Sequence, residues 1–409
     1  MSGDTLGDSK PPGQSRWAQW RTGLLWTTAV LLLAVLLVRT FFFDVYRVTS
    51  TSMEPSLIDG EWVLVLYDSS VPRRNELVVL SHPEGEEPLV KRVAGLPEES
   101  VQIVRGDCLI DGRRLPIEDG RPGPFVVIDD VHDLVPELNL GYGGRWSQNE
   151  GVFEVDAVAL DRADPAGLAF SVPDINDEYI KNGERVRGTH EVNDLELSGE
   201  VWIEGPVGRA RFGVNEMGDD FWVEFELSAD DVPARARLLR TSIGDVSVDR
   251  DGAREAFEGD PAPELEELLA VDVELDPGRW HGVRLANVDN VLRAWLDDEL
   301  VLRVSYDANR FAPTDAESEG RSPSARLWFG ADGTRARFRG LEVRRDVYYT
   351  GRGQYGHNAP EQLGPDEIFV LGDNSAQSQD SREWGPVSLE RVLGRPVWVM
   401  WPPSAWRRL

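Results

Sequence analysis

The apolar residues near the start of the chain form one long run, whereas those further along fall into short segments. Residues 23–38 carry no charge, Arg39 and Thr40 interrupt the run, and three phenylalanines at 41–43 extend it. About 20 apolar residues are enough to span a bilayer as a helix. We therefore predict a single transmembrane helix over 23–43. A cleavable signal peptide is the alternative, but no small-x-small cleavage site follows the apolar core.

Basic residues around this helix indicate its orientation. Lys10, Arg16 and Arg21 precede the span, and positive charge favours the cytoplasmic side. Arg39 and Arg47 lie on the other side, so the charge bias is small. We predict that residues 1–22 are a cytoplasmic segment of a single-pass protein. The body of the chain is then expected on the outer face of the plasma (inner) membrane.

After residue 43 the apolar residues occur in short β-branched runs, which are typical of strands. Asp111-Gly112 is a strong hairpin signal between two of them. The C-terminal region has the same style, so we assign 44–112 and 346–409 to one all-β domain. The strands predicted for it are 45–48, 61–66, 76–80, 89–93, 101–104, 108–110, 367–371 and 395–400.

The middle of the chain alternates apolar and polar residues, with polar turns between the runs, as in antiparallel sandwiches. Residues 106–350 hold 52 acidic and 27 basic residues, a net charge of −25, whereas the rest of the chain carries −4. This contrast indicates a separate module, which we place at 113–345 as an inserted antiparallel β-sandwich. Residues 280–289 and 292–301 within it resemble laminin-G or concanavalin-like lectin sandwiches, which implies a lectin-like jelly roll. Within it, 264–269 (ELEELL) is a candidate short helix. The predicted fold class is mainly β.

Charge and cysteine content exclude several functions. The net charge of −29 argues against a nucleic-acid partner. Cys108 is the only cysteine, so an intrachain disulfide is impossible and multi-thiolate metal sites are excluded. We expect neither a metal nor an organic cofactor.

The segment Ser-Thr-Ser-Met-Glu-Pro at 50–55 places a serine, Ser52, just beyond the predicted membrane helix. A serine hydroxyl needs a base to become a nucleophile. Histidine is the usual base, but none of the histidines lies in a motif-like stretch, so a Ser/His/Asp triad has weak support. They are His82, His132, His190, His281 and His357.

Lysine is the alternative base. Of 43 basic residues only Lys10, Lys91 and Lys181 are lysines. Lys91 lies in the apolar stretch 89–93, where strand alternation puts it on the apolar face and turns Arg92 towards solvent. A buried lysine can lose its proton near neutral pH, which an arginine cannot do. A strand lysine with its amine in water is the structural alternative.

A third polar segment, 371–382 (LGDNSAQSQDSR), follows a predicted strand. Asp373 and Asn374 favour a tight turn, because Asp and Asn side chains bond to their own backbone. Asp380 and Arg382 are close enough in sequence to pair and to hold the loop, and Ser378 can orient a lysine amine. Taken alone, such a loop is more often an ordinary polar turn.

Together these motifs resemble the type I signal peptidases. The family pattern is an apolar anchor followed by Ser-x-Ser-Met-x-Pro, Lys-Arg-x-x-Gly-Leu-Pro and Gly-Asp-Asn-x-x-x-Ser-x-Asp-Ser-Arg. Here the three motifs are 50–57, 91–97 and 372–382, in the family's order and spacing. The resemblance covers about 44–105 and 351–409, in addition to the anchor.

The resemblance implies a role for each motif residue. Ser52 is expected to be the nucleophile and Lys91 the general base, with the Ser52 backbone N–H and the Ser50 hydroxyl as the oxyanion hole. The residues expected to support them are Ser378, which orients Lys91, Asp380 and Arg382, which hold the loop, and Asp373 and Asn374 in its turn. Two positions depart from the pattern: Thr51 and Glu98 stand where the family usually has glycine.

The function implied is that of a membrane-bound serine endopeptidase that cleaves N-terminal signal peptides from exported preproteins. Its partners are then signal peptides and the lipid bilayer. A rival of another class is an anchored lectin-like binding protein with an inactive peptidase scaffold. Self-cleaving Ser/Lys repressors share the chemistry, but the membrane span disfavours them.

Three interpretations of the insert remain open. It can bind carbohydrate, it can bind calcium through residues 297–299 (Asp-Asp-Glu), or it can be a structural sandwich whose acidic residues solvate its surface. We favour the structural interpretation, because no calcium-ligand spacing stands out. On that interpretation the reaction does not require residues 106–350.

Overall fold

A computed structural model describes most of residues 41–114, 145–160, 167–216, 219–242, 265–306 and 327–409, with short gaps inside these ranges. It also describes 126–128, 138–139 and parts of 20–33. About half of the predicted membrane segment 23–43 lies outside the described residues, and residues 24–30 within it are helical. In the part of the chain that is described, no helix has the length and apolar character needed to cross a membrane.

The fold is mainly β. A short α-helix spans Ser381–Trp384, and single 3-10 turns span Ser375–Gln377, Leu389–Arg391 and Pro403–Ala405. The strands, in chain order, are β1 Phe43–Arg47, β2 Trp62–Leu66, β3 Leu77–Leu80, β4 Leu89–Gly95, β5 Ser100–Val104, β6 Asp107–Ile110, β7 Arg113–Arg114, β8 Val126–Ile128, β9 Leu138–Asn139, β10 Trp146–Asn149, β11 Val152–Asp156, β12 Leu168–Ser171, β13 Tyr179–Lys181, β14 Glu184–Val186, β15 Leu195–Ile203, β16 Gly208–Glu216, β17 Asp219–Leu227, β18 Ala234–Ser242, β19 Leu265–Val273, β20 Trp280–Val288, β21 Val291–Leu296, β22 Glu299–Ser305, β23 Leu327–Asp332, β24 Arg335–Arg345, β25 Glu361–Gln362, β26 Glu367–Leu371, β27 Val387–Ser388, β28 Val392–Trp401 and β29 Arg407–Arg408.

Strands from the two ends of the body form one antiparallel sheet, in the order β1-β2-β28-β3-β4-β26-β27 with β29 beside β28. The C-terminal strands thus lie between and beside the N-terminal ones, and β26 pairs directly with β4. A second sheet has the order β25-β5-β6-β7. Its β6–β7 turn is the Asp111-Gly112 hairpin, in which both residues have positive φ and Ile110 pairs with Arg113. That hairpin was predicted correctly.

The middle strands form two larger antiparallel sheets. One has the order β10-β11-β24-β15-β20-β21-β22, with β8 beside β24, and the other has the order β19-β18-β17-β16-β23-β12-β9. Alternate residues of each sheet point into one shared core, as Ala210, Phe212 and Val214 do on β16. The Phe329 and Phe338 rings meet across this core with centroids 5.1 Å apart. The two sheets therefore pack face to face as a sandwich.

One secondary-structure prediction is wrong. The segment 264–269 was a candidate helix, yet Leu265–Val273 is strand β19, which pairs with β18. Glutamate and leucine favour helices only weakly, by a few tenths of a kcal/mol per residue, roughly. Pairing with β18 gives one side of this edge strand hydrogen-bond partners, and Glu267 reaches Arg237 across the pair. Tertiary pairing therefore overrides local propensity here.

Candidate active site

The site is centred on a contact between Ser52 and Lys91. Ser52 lies in the turn that follows β1, and Lys91 is the third residue of β4. The Lys91 Nζ donates to Ser52 Oγ at 2.6 Å and to Ser378 Oγ at 3.1 Å. Ser52 is 6% exposed and Lys91 is 1% exposed. Ser52 lies 39 positions before Lys91 in the sequence and Ser378 lies 287 positions after it. Both side chains nevertheless contact the same buried amine.

Burial controls the charge of the Lys91 amine. Removal from water lowers its pKa to about 8, from an ordinary value of 10.5. Asp380 and Asp373 act in the opposite direction and raise the pKa, whereas Arg382 lowers it. Because these charges partly cancel, desolvation decides the outcome. A neutral amine 2.6 Å from a serine hydroxyl can accept its proton.

Ser50 lies beside this pair, with its Oγ 3.1 Å from Ser52 Oγ. Ser50 is exposed, unlike Ser52. Among the described residues, no backbone carbonyl accepts a hydrogen bond from the Ser52 N–H. The N–H and the Ser50 hydroxyl are therefore both available to a ligand at the opening of the site.

The 372–382 loop packs directly onto the turn that carries Ser52. The Asn374 backbone N–H donates to the Ser52 carbonyl at 3.0 Å, and its side-chain amide donates to the Thr51 carbonyl at 3.1 Å. A Cβ on Gly372 would lie 2.5 Å from the Ser52 carbonyl oxygen and would overlap the Ser378 hydroxyl. Glycine is thus required at 372 for the two segments to approach each other.

A buried ion pair holds this loop in shape. Arg382 binds Asp380 through two side-chain hydrogen bonds of 2.8 Å, and both residues are at most 1% exposed. Asp380 also accepts from the Gly372 N–H at 3.0 Å. The remaining guanidinium donors go to Thr350 and Ser375. Every charge in this cluster has hydrogen-bond partners, as buried charges need.

The expectation that Arg92 faces solvent is wrong. Its guanidinium is only 13% exposed and binds the Asp373 carboxylate through two hydrogen bonds of 2.5 and 2.7 Å. A third bond reaches Ser56 Oγ at 3.2 Å. Strand alternation separates Lys91 from Arg92 correctly, but the face opposite Lys91 is covered by the 372–382 loop. Arg92 therefore connects β4 to that loop and to the Ser52 turn.

The two departures from the glycine pattern differ in their consequences. Thr51 is absent from the residues of positive φ, so its side chain fits the backbone without strain. Glu98 has φ +67°, in the left-handed region that favours glycine. It is exposed, and its carbonyl accepts a hydrogen bond from Gln362 at 3.0 Å. The departure at 98 thus places strain in a surface turn rather than beside Ser52.

Sequence reasoning missed three residues that touch the Ser52 turn. Glu54 is 1% exposed, and its carboxylate binds Tyr179 and Lys181, both from the middle of the chain. The scarcity of lysine pointed to Lys91 as a functional residue, and Lys181 is equally rare in this chain. The contact of Lys181 with Glu54 was missed because nothing in the sequence brings position 181 close to position 54.

Other predicted candidates lie away from this centre. His281 and Asp297 of the sandwich bind each other at 2.8 Å, and Asp297 also accepts from the Gly282 N–H. Asp297 and Asp298 both have positive φ and form the two-residue turn between β21 and β22. Among the residues that the structure describes, no group of three or more His, Cys, Asp or Glu side chains is arranged around a possible metal position.

Known proteins match the chain on both sides of the sandwich. Residues 20–127 and 325–401 match the family described as "Signal peptidase, peptidase S26". "Signal peptidase I P" of Bacillus subtilis subsp. natto is 35% identical over 121 residues, which are 28% of this chain and 62% of that protein. A signal peptidase I of Streptococcus pneumoniae is 27% identical over 184 residues, which are 42% of this chain and 87% of that protein. The chain spans 62% and 51% of the length of two such relatives from Bacillus.

The solved structures that match the chain do so at low similarity. A carbohydrate-binding module from Bacillus subtilis has a TM-score of 0.27 at 10% identity, covering 49% of this chain and 90% of that one. The matched family ranges contain Ser52, Lys91 and the 372–382 loop. Over these two ranges, which together make up less than half of the chain, the protein is similar to peptidases, and among them to the signal peptidase family S26.

Proposed function

We propose that this protein is a membrane-bound serine endopeptidase that removes N-terminal signal peptides from exported preproteins with a Ser52/Lys91 dyad. The observation that carries the proposal is the 2.6 Å hydrogen bond between the two side chains, in a site that excludes water from the amine. Similarity to the signal peptidase family S26 supports the choice of substrate.

In the first step, Ser52 Oγ attacks the carbonyl carbon of the scissile peptide bond while Lys91 Nζ accepts the hydroxyl proton. The tetrahedral intermediate collapses as Lys91 gives that proton to the leaving amine, and the signal peptide remains as an ester on Ser52. Lys91 then takes a proton from water, whose oxygen attacks the ester carbon. When this second intermediate collapses, the bond to Ser52 Oγ breaks, Lys91 returns the proton to Ser52 Oγ, and the signal peptide leaves with a free carboxyl group. Ser378 holds the amine at 3.1 Å throughout, so that it stays directed at Ser52.

The negative charge of the tetrahedral intermediate needs donors in the free space beside Ser52. We assign this role to the Ser52 backbone N–H and the Ser50 hydroxyl, which lies 3.1 Å from Ser52 Oγ. Removal of one such donor typically costs ~10²–10³ in rate. Four further residues act indirectly, because their hydrogen bonds hold the loop that supports Ser378 and the Ser52 carbonyl. They are Asp373, Asn374, Asp380 and Arg382.

We further propose that the protein is anchored by the segment 23–43, with the catalytic part on the outer face of the plasma membrane. Exposed apolar side chains just before β1 and along β2 and β28 support this arrangement, and two of them, Trp62 and Trp401, are paired in register. The exposed residues near this edge are Phe41, Phe42, Trp62, Trp398, Met400, Trp401 and Trp406. Tryptophan is favoured at membrane–water interfaces.

We assign the catalytic domain to 44–112 and 346–409 and the inserted acidic sandwich to 113–345. Hydrophobic packing supports this division, because the sandwich has one core of its own. The clusters around Ser52 and β4 are built almost entirely from the flanking strands. Tyr179 and Val186 are the exceptions.

Cleavage of a preprotein by the full-length protein in detergent or proteoliposomes tests the proposal. We expect Ser52→Ala and Lys91→Ala each to lower kcat by at least ~10³-fold, as for other residues that act as one catalytic unit. Lys91→Arg should be equally inactive, because a guanidinium stays protonated. Ser388→Ala, in a turn that does not contact Ser52, is the matched control. Full cleavage by Ser52→Ala would refute the proposed function.

A further inference from the structure

Glu54 is a buried carboxylate whose charge is neutralised from the inserted sequence. It lies two residues after Ser52 and is 1% exposed. Lys181 Nζ approaches Glu54 Oε1 at 2.7 Å, and the Tyr179 hydroxyl donates to Glu54 Oε2 at 2.7 Å. From the residues near Glu54 in sequence, its carboxylate accepts a longer hydrogen bond, donated by the Asp59 N–H at 3.3 Å. A buried carboxylate without partners is strongly unfavourable, so the Ser52 turn depends on these two side chains.

Tyr179 also reaches the second segment that shapes the site. The Asn374 side-chain amide donates to the Tyr179 hydroxyl at 3.4 Å and to the Thr51 carbonyl at 3.1 Å. The Asn374 backbone N–H holds the Ser52 carbonyl at 3.0 Å. One tyrosine hydroxyl therefore contacts both the turn that carries Ser52 and the loop that carries Ser378.

Strand geometry places the two side chains together. β13 and β14 form a small hairpin in which Tyr179 pairs with Val186 and Lys181 pairs with Glu184. Residues two apart on a strand share a face, so Tyr179 and Lys181 both point at Glu54. Tyr179 and Val186 pack in the hydrophobic cluster that also contains Val101 and Phe369.

The same segment is attached to the sandwich. Ile175, four residues before Tyr179, belongs to the core of the sandwich and accepts a hydrogen bond from the Val192 N–H. Asp177 binds the His190 ring at 3.0 Å and two backbone N–H groups, which closes the base of the hairpin. The His190 ring in turn stacks on Tyr348, with centroids 5.0 Å apart. The paired strands β13 and β14 are thus held at one end by Asp177 and His190, while Tyr179 and Lys181 contact Glu54.

We propose that the hairpin β13–β14 is a positioning element of the catalytic site, in which Tyr179 and Lys181 hold Glu54 and thereby set the position of Ser52 relative to Lys91. This inference rests on the proposed function and deepens it. Tyr179 and Lys181 touch no reacting atom, so they are positioning residues. The insert is then required for full activity, which replaces the expectation that the reaction does not require residues 106–350.

Variants of the full-length protein test this inference by preprotein cleavage. We expect Tyr179→Phe and Lys181→Met each to lower kcat by ~10- to 100-fold, because a displacement of about 1 Å at a reacting group costs up to about 100-fold. KM should stay within about twofold, since neither residue binds substrate, and kcat effects without KM effects report transition-state positioning. Lys181→Arg keeps the charge facing Glu54 and should retain most of the activity.

Tyr306→Phe is the matched control, because it removes a hydrogen-bonded tyrosine hydroxyl of the sandwich far from Glu54 in the fold. We expect it to leave kcat unchanged. Thermal unfolding of each variant separates a positioning effect from loss of fold. If Tyr179→Phe does not fold, Lys181→Met together with Lys181→Arg decides the question.

The outcomes distinguish this inference from the proposed function. If Ser52→Ala abolishes cleavage while Tyr179→Phe and Lys181→Met cleave at the wild-type rate, the positioning role is refuted and the proposed function stands. An equal loss of kcat in Lys181→Met and Lys181→Arg would also refute it, because the charge would then not matter. If Ser52→Ala cleaves normally, both proposals fail together.

Discussion

Replacement of Lys91 by methionine should abolish cleavage and yet stabilise the protein at neutral pH. The pKa of Lys91 falls from 10.5 to about 8 on burial, which corresponds to about 3 kcal/mol of linked free energy. At pH 7 the unfolded chain binds the lysine proton more tightly than the folded protein does. The free energy of unfolding is therefore lower than it would be with an uncharged side chain of similar length.

The lost hydrogen bonds reduce the gain. Methionine cannot donate to Ser52 or Ser378, and each lost bond costs about 1 kcal/mol. We therefore expect Lys91→Met to raise the free energy of unfolding by about 1 kcal/mol at pH 7, within a factor of two. As the pH rises from the folded pKa towards the unfolded one, the unfolded chain also loses the proton and the advantage disappears. Between pH 7 and about pH 9.5 the difference between variant and wild type should fall by about 2 kcal/mol.

Denaturant or thermal unfolding at these two pH values measures the effect. Carboxylates that titrate elsewhere cancel, because variant and wild type share them. Ser388→Ala is the control, since it removes a serine hydroxyl that bonds the Glu390 N–H rather than Lys91, and it should show no pH-dependent difference. A stability difference for Lys91→Met that does not change with pH would show that the lysine is not buried as a destabilising charge.

Three further outcomes follow from the site and its surroundings. The rate constant kcat/KM should rise about tenfold per pH unit below pH 8 and level off above it, because only the neutral form of Lys91 accepts a proton. A value of kcat/KM that does not change between pH 6 and about pH 9 would contradict the assignment of Lys91 as the base. Gly372→Ala should lower kcat by ~10²-fold, because its Cβ would press on the Ser52 carbonyl and the Ser378 hydroxyl. Gly282→Ala should cleave normally, because φ is not positive there and the nearest atom lies 3.9 Å from the added Cβ. Glu98→Gly should raise the free energy of unfolding by about 0.5–1 kcal/mol. This is the relief of left-handed backbone strain minus the larger conformational entropy that glycine loses on folding. An unchanged unfolding midpoint would show that the turn is not strained.

Strand prediction worked where local pattern and burial agree. The predicted strand 367–371 is β26 without change. The segment 264–269 was misassigned because its glutamates and leucines carry a helix preference that edge pairing with β18 overrides. The strands between 113 and 160 gave no clean pattern, since they are short and lie at sheet edges or beside longer strands, as β9 and β10 do.

Three local motifs and the shortage of lysine were enough to single out Ser52, Lys91 and the 372–382 loop, because motif chemistry and residue scarcity are properties of the sequence alone. The distances between these groups belong to the tertiary structure, since β26 must pair with β4 before Ser378 can reach the Lys91 amine. The burial that lowers the pKa of Lys91 likewise arises only when that loop covers the strand. Tertiary structure alone also decided the partners of Glu54. Position 181 lies 127 residues further along the chain, and no local pattern predicts a contact across an inserted module.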